Sequence, residues 1–157
     1  MKKIIYLFFI VASLSISACK KKERPTLASP DSKIESIQGS WEIQEVLLID
    51  EVDLLKASRD LKSFYLKGNP SKLSFNVDGT YSVSIGDGKN YFGNGGSWSF
   101  DDPNFPTVLI LDDGNQWSSF NLLAPVRKID KELKISLLNK DCNEKAINSI
   151  QFNLKRL

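Results

Sequence analysis

The chain has 157 residues, 21 Lys and Arg against 19 Asp and Glu, two cysteines and no histidine. Without histidine it lacks the commonest general base, the Ser-His and Cys-His arrangements, and imidazole metal sites. Its length suits one domain with a single core and not obviously two.

Lys2 and Lys3 precede an apolar run from Ile4 to Ala12, and Ile16-Ser17-Ala18-Cys19 closes the segment. The run is too short to span a bilayer and ends in small residues, which is the layout of a secretory signal peptide. Cys19, directly after the small pair, resembles the lipobox of bacterial lipoproteins, where cleavage precedes the cysteine and its sulfur carries lipid. The resemblance implies a signal peptide over residues 1–18, lipidation at Cys19 and a membrane partner reached through that lipid. Removing Lys2 and Lys3 leaves 19 basic and 19 acidic residues, and setting aside Lys20, Lys21, Lys22, Arg24 and Glu23 leaves 15 and 18. The basic cluster therefore lies on a tether rather than a folded face, which argues against a nucleic-acid partner. Residues 19–33 are polar, hold Pro25 and Pro30 and show no apolar period, so they read as a lipidated cysteine and flexible linker. Some Gram-negative groups rich in such lipoproteins use acidic residues after the cysteine as a surface-export signal, so with lysines there the resemblance implies the periplasmic face of the outer membrane rather than the cell surface.

Residues 34–157 form the expected folded domain. Asp31 or Ser32 is an N-cap for a short helix over Ile34 to Ile37, with both isoleucines spaced to share a face. Trp41, Ile43, Val46, Leu47 and Ile49 make a long strand with an irregularity near Glu45. From Asp50 to Lys67 the apolar spacing fits a helical insertion or a decorated loop.

Leu73 to Ile85 is a hairpin with two alternating rows, Leu73 and Phe75 on one arm, Tyr81, Val83 and Ile85 on the other. A two-residue Asp78-Gly79 turn would put the rows on opposite faces. A three-residue loop, Val77-Asp78-Gly79, pairs Phe75 with Tyr81 and Leu73 with Val83, and Gly79 takes the left-handed position. Further strands are expected at Gly96 to Phe100, Thr107 to Leu111 and Trp117 to Leu123. Val126 to Ile129 and Leu133 to Leu137 are read as strands flanking the turn Asp130-Lys131-Glu132, and Ile150, Phe152 and Leu154 alternate on the closing strand. About eight short strands with close turn signals indicate an all-β antiparallel barrel or sandwich.

Gly39-Ser40-Trp41 after a helical lead-in, Phe75 to Tyr81, Gly96-Ser97-Trp98 and a Val126 to Leu137 hairpin together resemble the lipocalin-like domain of small Gram-negative bacterial lipoproteins. The resemblance covers Ile34 to Leu157 and implies a lipocalin-like antiparallel β-barrel, in a family mostly without assigned function. It also implies a structural role for Trp41 at the closed end of the barrel. The segment around Asp50 to Lys67 and the glycine-rich loop Gly86 to Gly95 depart from that pattern.

Little in the domain points to catalysis. Cys142 is the only thiol left once Cys19 is lipidated, with acidic neighbours and no intrachain disulfide partner, and it reads as a loop cysteine. Asp101-Asp102-Pro103-Asn104 and Asp112-Asp113-Gly114-Asn115 lack EF-hand spacing and carry the residues that tight turns demand. No catalytic residue, metal or cofactor is assigned, and an enzyme ranks below two other readings. In one, the barrel binds a small hydrophobic or amphiphilic ligand through Phe75, Tyr81, Val83, Trp98 and the mouth residues Tyr91 and Phe92, read as exposed on their loop. In the other, the interior is a filled core and the lipoprotein meets an envelope protein through its outer surface.

Overall fold

The computed structural model describes residues 32–53, 55–65 and 68–157. The expected signal peptide, the expected lipidation site at Cys19 and all but the end of the expected linker lie outside the described residues.

The Ser32 hydroxyl caps a single-turn helix, α1 (Lys33–Ile37), by accepting from the Glu35 amide at 3.3 Å. The helix buries Ser36 and Ile37, while Ile34 stays 43% exposed, so the two isoleucines do not share a face. A helix of one turn rests on the barrel with its last residues only.

Nine strands follow: β1 (Gly39–Asp50), β2 (Arg59–Asp60), β3 (Lys72–Phe75), β4 (Thr80–Ser84), β5 (Gly95–Phe100), β6 (Val108–Asp112), β7 (Trp117–Leu122), β8 (Glu132–Lys140) and β9 (Ala146–Arg156). From β3 to β9 each pairs antiparallel with the next, and β1 pairs with both β3 and β9. Eight strands thus close an all-β antiparallel barrel, and the two residues of β2 add only to the far half of β1. Closure leaves the barrel strands without a free edge along most of their length.

The irregularity expected near Glu45 is a bulge: the β1–β9 register shifts between Ile43 and Glu45. The extra residue reverses side-chain parity, so Trp41 and Ile43 point inward before it and Val46 after it, and all three are buried. A strand of twelve residues can therefore follow the barrel wall while its apolar positions change from odd to even.

The β3–β4 hairpin has the expected register, Phe75 opposite Tyr81 and Leu73 opposite Val83. Gly79 closes the loop at φ 82°, where nothing lies within 4 Å of an added Cβ. Strain rather than collision opposes a side chain there. Gly79→Val is expected to cost about 1–3 kcal/mol, read as a lowered melting temperature in far-ultraviolet circular dichroism, and an unchanged melt would contradict this register.

Other segments differ from the sequence reading. Between Asp50 and β3 the chain forms β2 and one helical turn, α2 (Lys62–Tyr65), so among the described residues the segment is a decorated loop. Ile85 falls one residue beyond β4 and is 53% exposed. Val126 to Ile129 is no strand: β8 pairs with β7, the chain from Leu123 to Lys131 is a loop, and Val126 is buried, 5% exposed, under the barrel end. One buried β-branched residue in a loop imitates a strand when only the sequence is read.

The end of the barrel that carries α1 is closed by Trp41. Its indole is fully buried and donates to the Ile37 carbonyl at 2.7 Å. The Arg156 guanidinium lies 4.3 Å from the ring and donates to the Gln38 and Ser36 carbonyls at 2.8 and 2.5 Å. One side chain at the end of β9 thereby ties α1 to the barrel through both charge and planar geometry.

Candidate functional site at the open end

The opposite end is formed by the chain between β1 and β3, the β4–β5 loop and the β6–β7 and β8–β9 hairpins. The first two join there. The Asn69 amide donates to Asp87 at 3.1 Å, the Asp87 amide to the Asn69 carbonyl at 3.2 Å, and the Gly86 amide to the Ser71 hydroxyl at 2.9 Å. Glycine is required where they touch: a Cβ on Gly88 would lie 1.9 Å from the Tyr65 carbonyl oxygen, and one on Gly86 equally close to that of Asn69.

From this cover the β4–β5 loop sends Phe92 down into the barrel. Phe92 is 2% exposed, stacked on Phe120 at 5.3 Å and edge-on to Phe152 at 5.0 Å. The expectation that Phe92 would be exposed at the mouth is therefore wrong. A large apolar ring on a glycine-rich loop gains more by filling the space above the central strands than by facing water. The loop holds it by short bonds: Asn90 accepts from the Phe92 amide at 2.9 Å and donates to the Gly93 carbonyl at 2.6 Å, and the Tyr81 hydroxyl donates to the Phe92 carbonyl at 2.8 Å.

Tyr91 sits above Phe92 and is only half-buried. Its ring meets Phe152 at 5.6 Å and Tyr65 of α2 at 5.4 Å, its hydroxyl lies 2.6 Å from the Tyr65 hydroxyl, and Lys89 Nζ covers its face at 4.7 Å. Deeper, Trp98 packs edge-on between Phe75 at 5.7 Å and Phe100 at 5.5 Å. Trp98 is 8% exposed, and its indole N–H is buried without a protein partner. Val83 is partly buried against this core.

The six sequence-chosen residues thus fall into two groups. Phe75, Tyr81, Val83 and Trp98 line the strands, whereas Tyr91 and Phe92 come from the loop that covers them. Sequence reasoning missed Tyr65, Phe120 and Phe152 as their partners. Alternation marks Phe152 as inward, but only the closed barrel brings it to Phe92. Four clefts on the described surface, about 330 to 640 Å³ in volume, are lined by none of the six residues.

Burial raises the pKa of Tyr65 above 10, helped by the Tyr91 hydroxyl, and burial with the charges of Asp113 and Asp112 does the same for Tyr81. A raised folded-state pKa gives stability that is complete below 10 and is lost as pH rises through the folded values. The open end is therefore expected to loosen in alkali above pH 10, with delayed ionisation of two tyrosines in ultraviolet absorbance titration. Tyr65→Phe should remove one of the delayed steps.

The aspartate clusters build loops. Asp101 accepts from the Thr107 hydroxyl and the Thr107 and Val108 amides, which hold its pKa well below the usual carboxylate range. Asp102 accepts from the Asn104 and Phe105 amides, and Asp113 from those of Asn115 and Gln116. No group of three metal-ligating side chains is present among the described residues. Cys142 is exposed in the β8–β9 hairpin as a free thiol.

Residues 20–121 match the model of a family described as Domain of unknown function (DUF5004). No curated protein matches the chain. The matched segment runs from before α1 into β7, so β8 and β9, which complete the barrel against β1, lie beyond it. With most of the barrel inside the match, the chain belongs to the DUF5004 family.

Proposed function

We propose that the chain is a lipid-anchored, non-catalytic envelope protein whose lipocalin-like barrel receives a small hydrophobic or amphiphilic ligand in the space that Phe92 fills. The observation that carries this reading is the origin of Phe92. A strand residue cannot vacate the interior without breaking the sheet, whereas a side chain on a loop can leave while every strand pair stays intact. The withdrawn loop would uncover Phe120 and Phe152, an apolar wall matching an acyl chain or small ring, with the Tyr65 and Tyr91 hydroxyls at the rim for a polar head. The unpartnered indole N–H of Trp98 is a further donor within the barrel.

The anchor belongs to the same reading: cleavage before Cys19, lipid on its sulfur, and attachment at the periplasmic face of the outer membrane. Titration of the mature chain with a hydrophobic fluorescent probe or envelope lipid extract is expected to give a saturable change in tryptophan emission. Val83→Trp should abolish it by filling the interior. Cys19→Ala should leave the precursor unprocessed and change its membrane fractionation, a result independent of ligand binding.

The close ring contacts around Trp98 and Phe92 favour a second reading, in which the interior is a permanent core and the outer surface meets an envelope protein. Absence of any probe response in the intact chain, with Phe92 protected throughout, would decide for it.

A further inference from the structure

We propose that the barrel wall opens sideways between β7 and β8, and that a single-chain amphiphile enters through this slot with its polar head left outside. This rests on the ligand reading above and adds to it the route and the shape of the ligand. β7 and β8 form a ladder at two places only, Asn121 with Ser136 and Leu122 with Ile135. The Leu123 amide extends it by donating to the Lys134 carbonyl at 2.9 Å. Both strands run on toward the open end, β7 through Trp117 to Phe120 and β8 through Leu137 to Lys140, yet the ladder between them stops. Their outer edges stay paired, Trp117 to Asn121 with β6 and Leu137 to Lys140 with β9. In the same register Ser119 would stand beside Leu138, and Trp117 beside Lys140.

Alternation fixes where the peptide groups of these residues point. The Leu122 amide donates to the Thr107 carbonyl on the β6 side at 2.8 Å, and that of Leu123 donates to the β8 side. The N–H and C=O of Trp117 and Ser119 therefore face β8, and by the same count from Lys134 those of Leu138 and Lys140 face β7. Each lip of the slot carries two peptide units without a ladder partner across it. Ser119 and Leu138 are half-buried, Trp117 and Lys140 exposed. Water can take the missing bonds there and give way to the oxygens of a ligand head.

Behind the slot lies the space that Phe92 fills. The strands part at Phe120, whose fully buried ring stacks on Phe92 at 5.3 Å and meets Phe152 edge-on at 6.3 Å. Leu137, on the other lip, is partly buried against the same core. Side-chain packing, rather than a ladder, closes the wall here. The end of the barrel is the harder way in, because its cover is joined by the bonds of Asn69 with Asp87 and of Gly86 with Ser71, and lifting it breaks them. Parting the lips breaks no strand pair. Phe92 lies further along its loop than Gly86 to Gly88, so it can yield while the cover stays joined. Two neighbouring strands that part admit one chain, and a head of any size remains outside, at the open end to which the slot runs. Trp117, 72% exposed on the β7 lip, offers that head an apolar ring with a hydrogen-bond donor.

The test uses the mature chain with Cys19→Ser and Cys142→Ser, to which Ser119→Cys and Leu138→Cys are added so that a disulfide closes the slot. The probe is dansyl-labelled undecanoic acid, followed by stopped-flow fluorescence. The oxidised chain is expected to take up and release the probe at least about tenfold more slowly than the same chain reduced, with the dissociation constant nearly unchanged. A matching cross-link at Ser99→Cys and Ile110→Cys, where β5 and β6 pair without a break, should leave both rates as they were. Equal rates in the oxidised and reduced slot variant, or equal slowing by the two cross-links, would overturn the proposal and leave the ligand reading standing. No uptake by the unmodified chain would end both. Hydrogen exchange supplies a check that needs neither cross-link nor ligand. The Ser119 and Leu138 amides should exchange far faster than those of Asn121 and Ser136, and should slow when the probe is added. Equal protection of all four before the probe is added would mean a continuous ladder and no slot.

Discussion

Phe92→Ala is expected to lower stability by about 3 kcal/mol or more, roughly 10 °C in melting temperature for a domain of this size. Truncation removes a ring that is 2% exposed and contacts both Phe120 and Phe152, and the loop cannot readily collapse into the gap. Asn90, Gly93 and the Tyr81 hydroxyl fix the backbone on either side of residue 92. A cavity of this kind, walled by aromatic rings, stays dry and takes up small apolar molecules. The same variant separates the two functional readings. If Phe92 competes with a ligand for the interior, removing it should tighten binding of a hydrophobic probe that the intact chain already binds. If the interior is a permanent core, only a benzene-sized molecule should bind, and only to the variant. Calorimetric titration of both proteins, beside their melting curves, measures each outcome.

Trp41→Ala is expected to be costlier still, about 5 kcal/mol by denaturant titration. Its indole is fully buried, so its removal leaves a large hole at the closed end and frees the Ile37 carbonyl that it satisfies at 2.7 Å. Arg156 also loses the ring beneath its guanidinium. Since whole domains are stable by only about 5–15 kcal/mol, this variant should be partly or wholly unfolded near room temperature. Arg156→Lys is the milder companion. An ammonium cannot reproduce the fork that meets both the Gln38 and Ser36 carbonyls, so α1 should loosen while the barrel persists. Exchange at Ser36 and Ile37 amides would report that difference.

The tryptophan clamp and the arginine tie hold the closed end. Glycine contacts and a tyrosine pair hold the other, where a side chain from a loop stands in the interior.

Several features were legible before any fold was known because each depends on parity within a few residues. The Phe75–Tyr81 and Leu73–Val83 pairs followed from which loop length put two apolar rows on one face. The bulge near Glu45 followed from Trp41 and Ile43 standing at odd positions and Val46 at an even one. The N-cap, read as Asp31 or Ser32, and the turn aspartates were legible because such side chains bond backbone only two to seven residues away. What the sequence by itself determined was this series of strands and turns, and the all-β class that they imply.

Tertiary structure alone decided the fate of side chains outside the alternating runs. Phe92 looked like a mouth residue because its loop is polar and rich in glycine, yet its ring is buried against strands 28 and 60 positions further along the chain. Val126 looked like part of a strand and is instead a single plug beneath the barrel end. Ile85 continued an apolar row but passed beyond the last strand pair and turned to solvent. Side-chain parity is imposed by the backbone and can be counted locally, whereas burial of a loop residue depends on the space left between distant strands, which exists only once the barrel has closed.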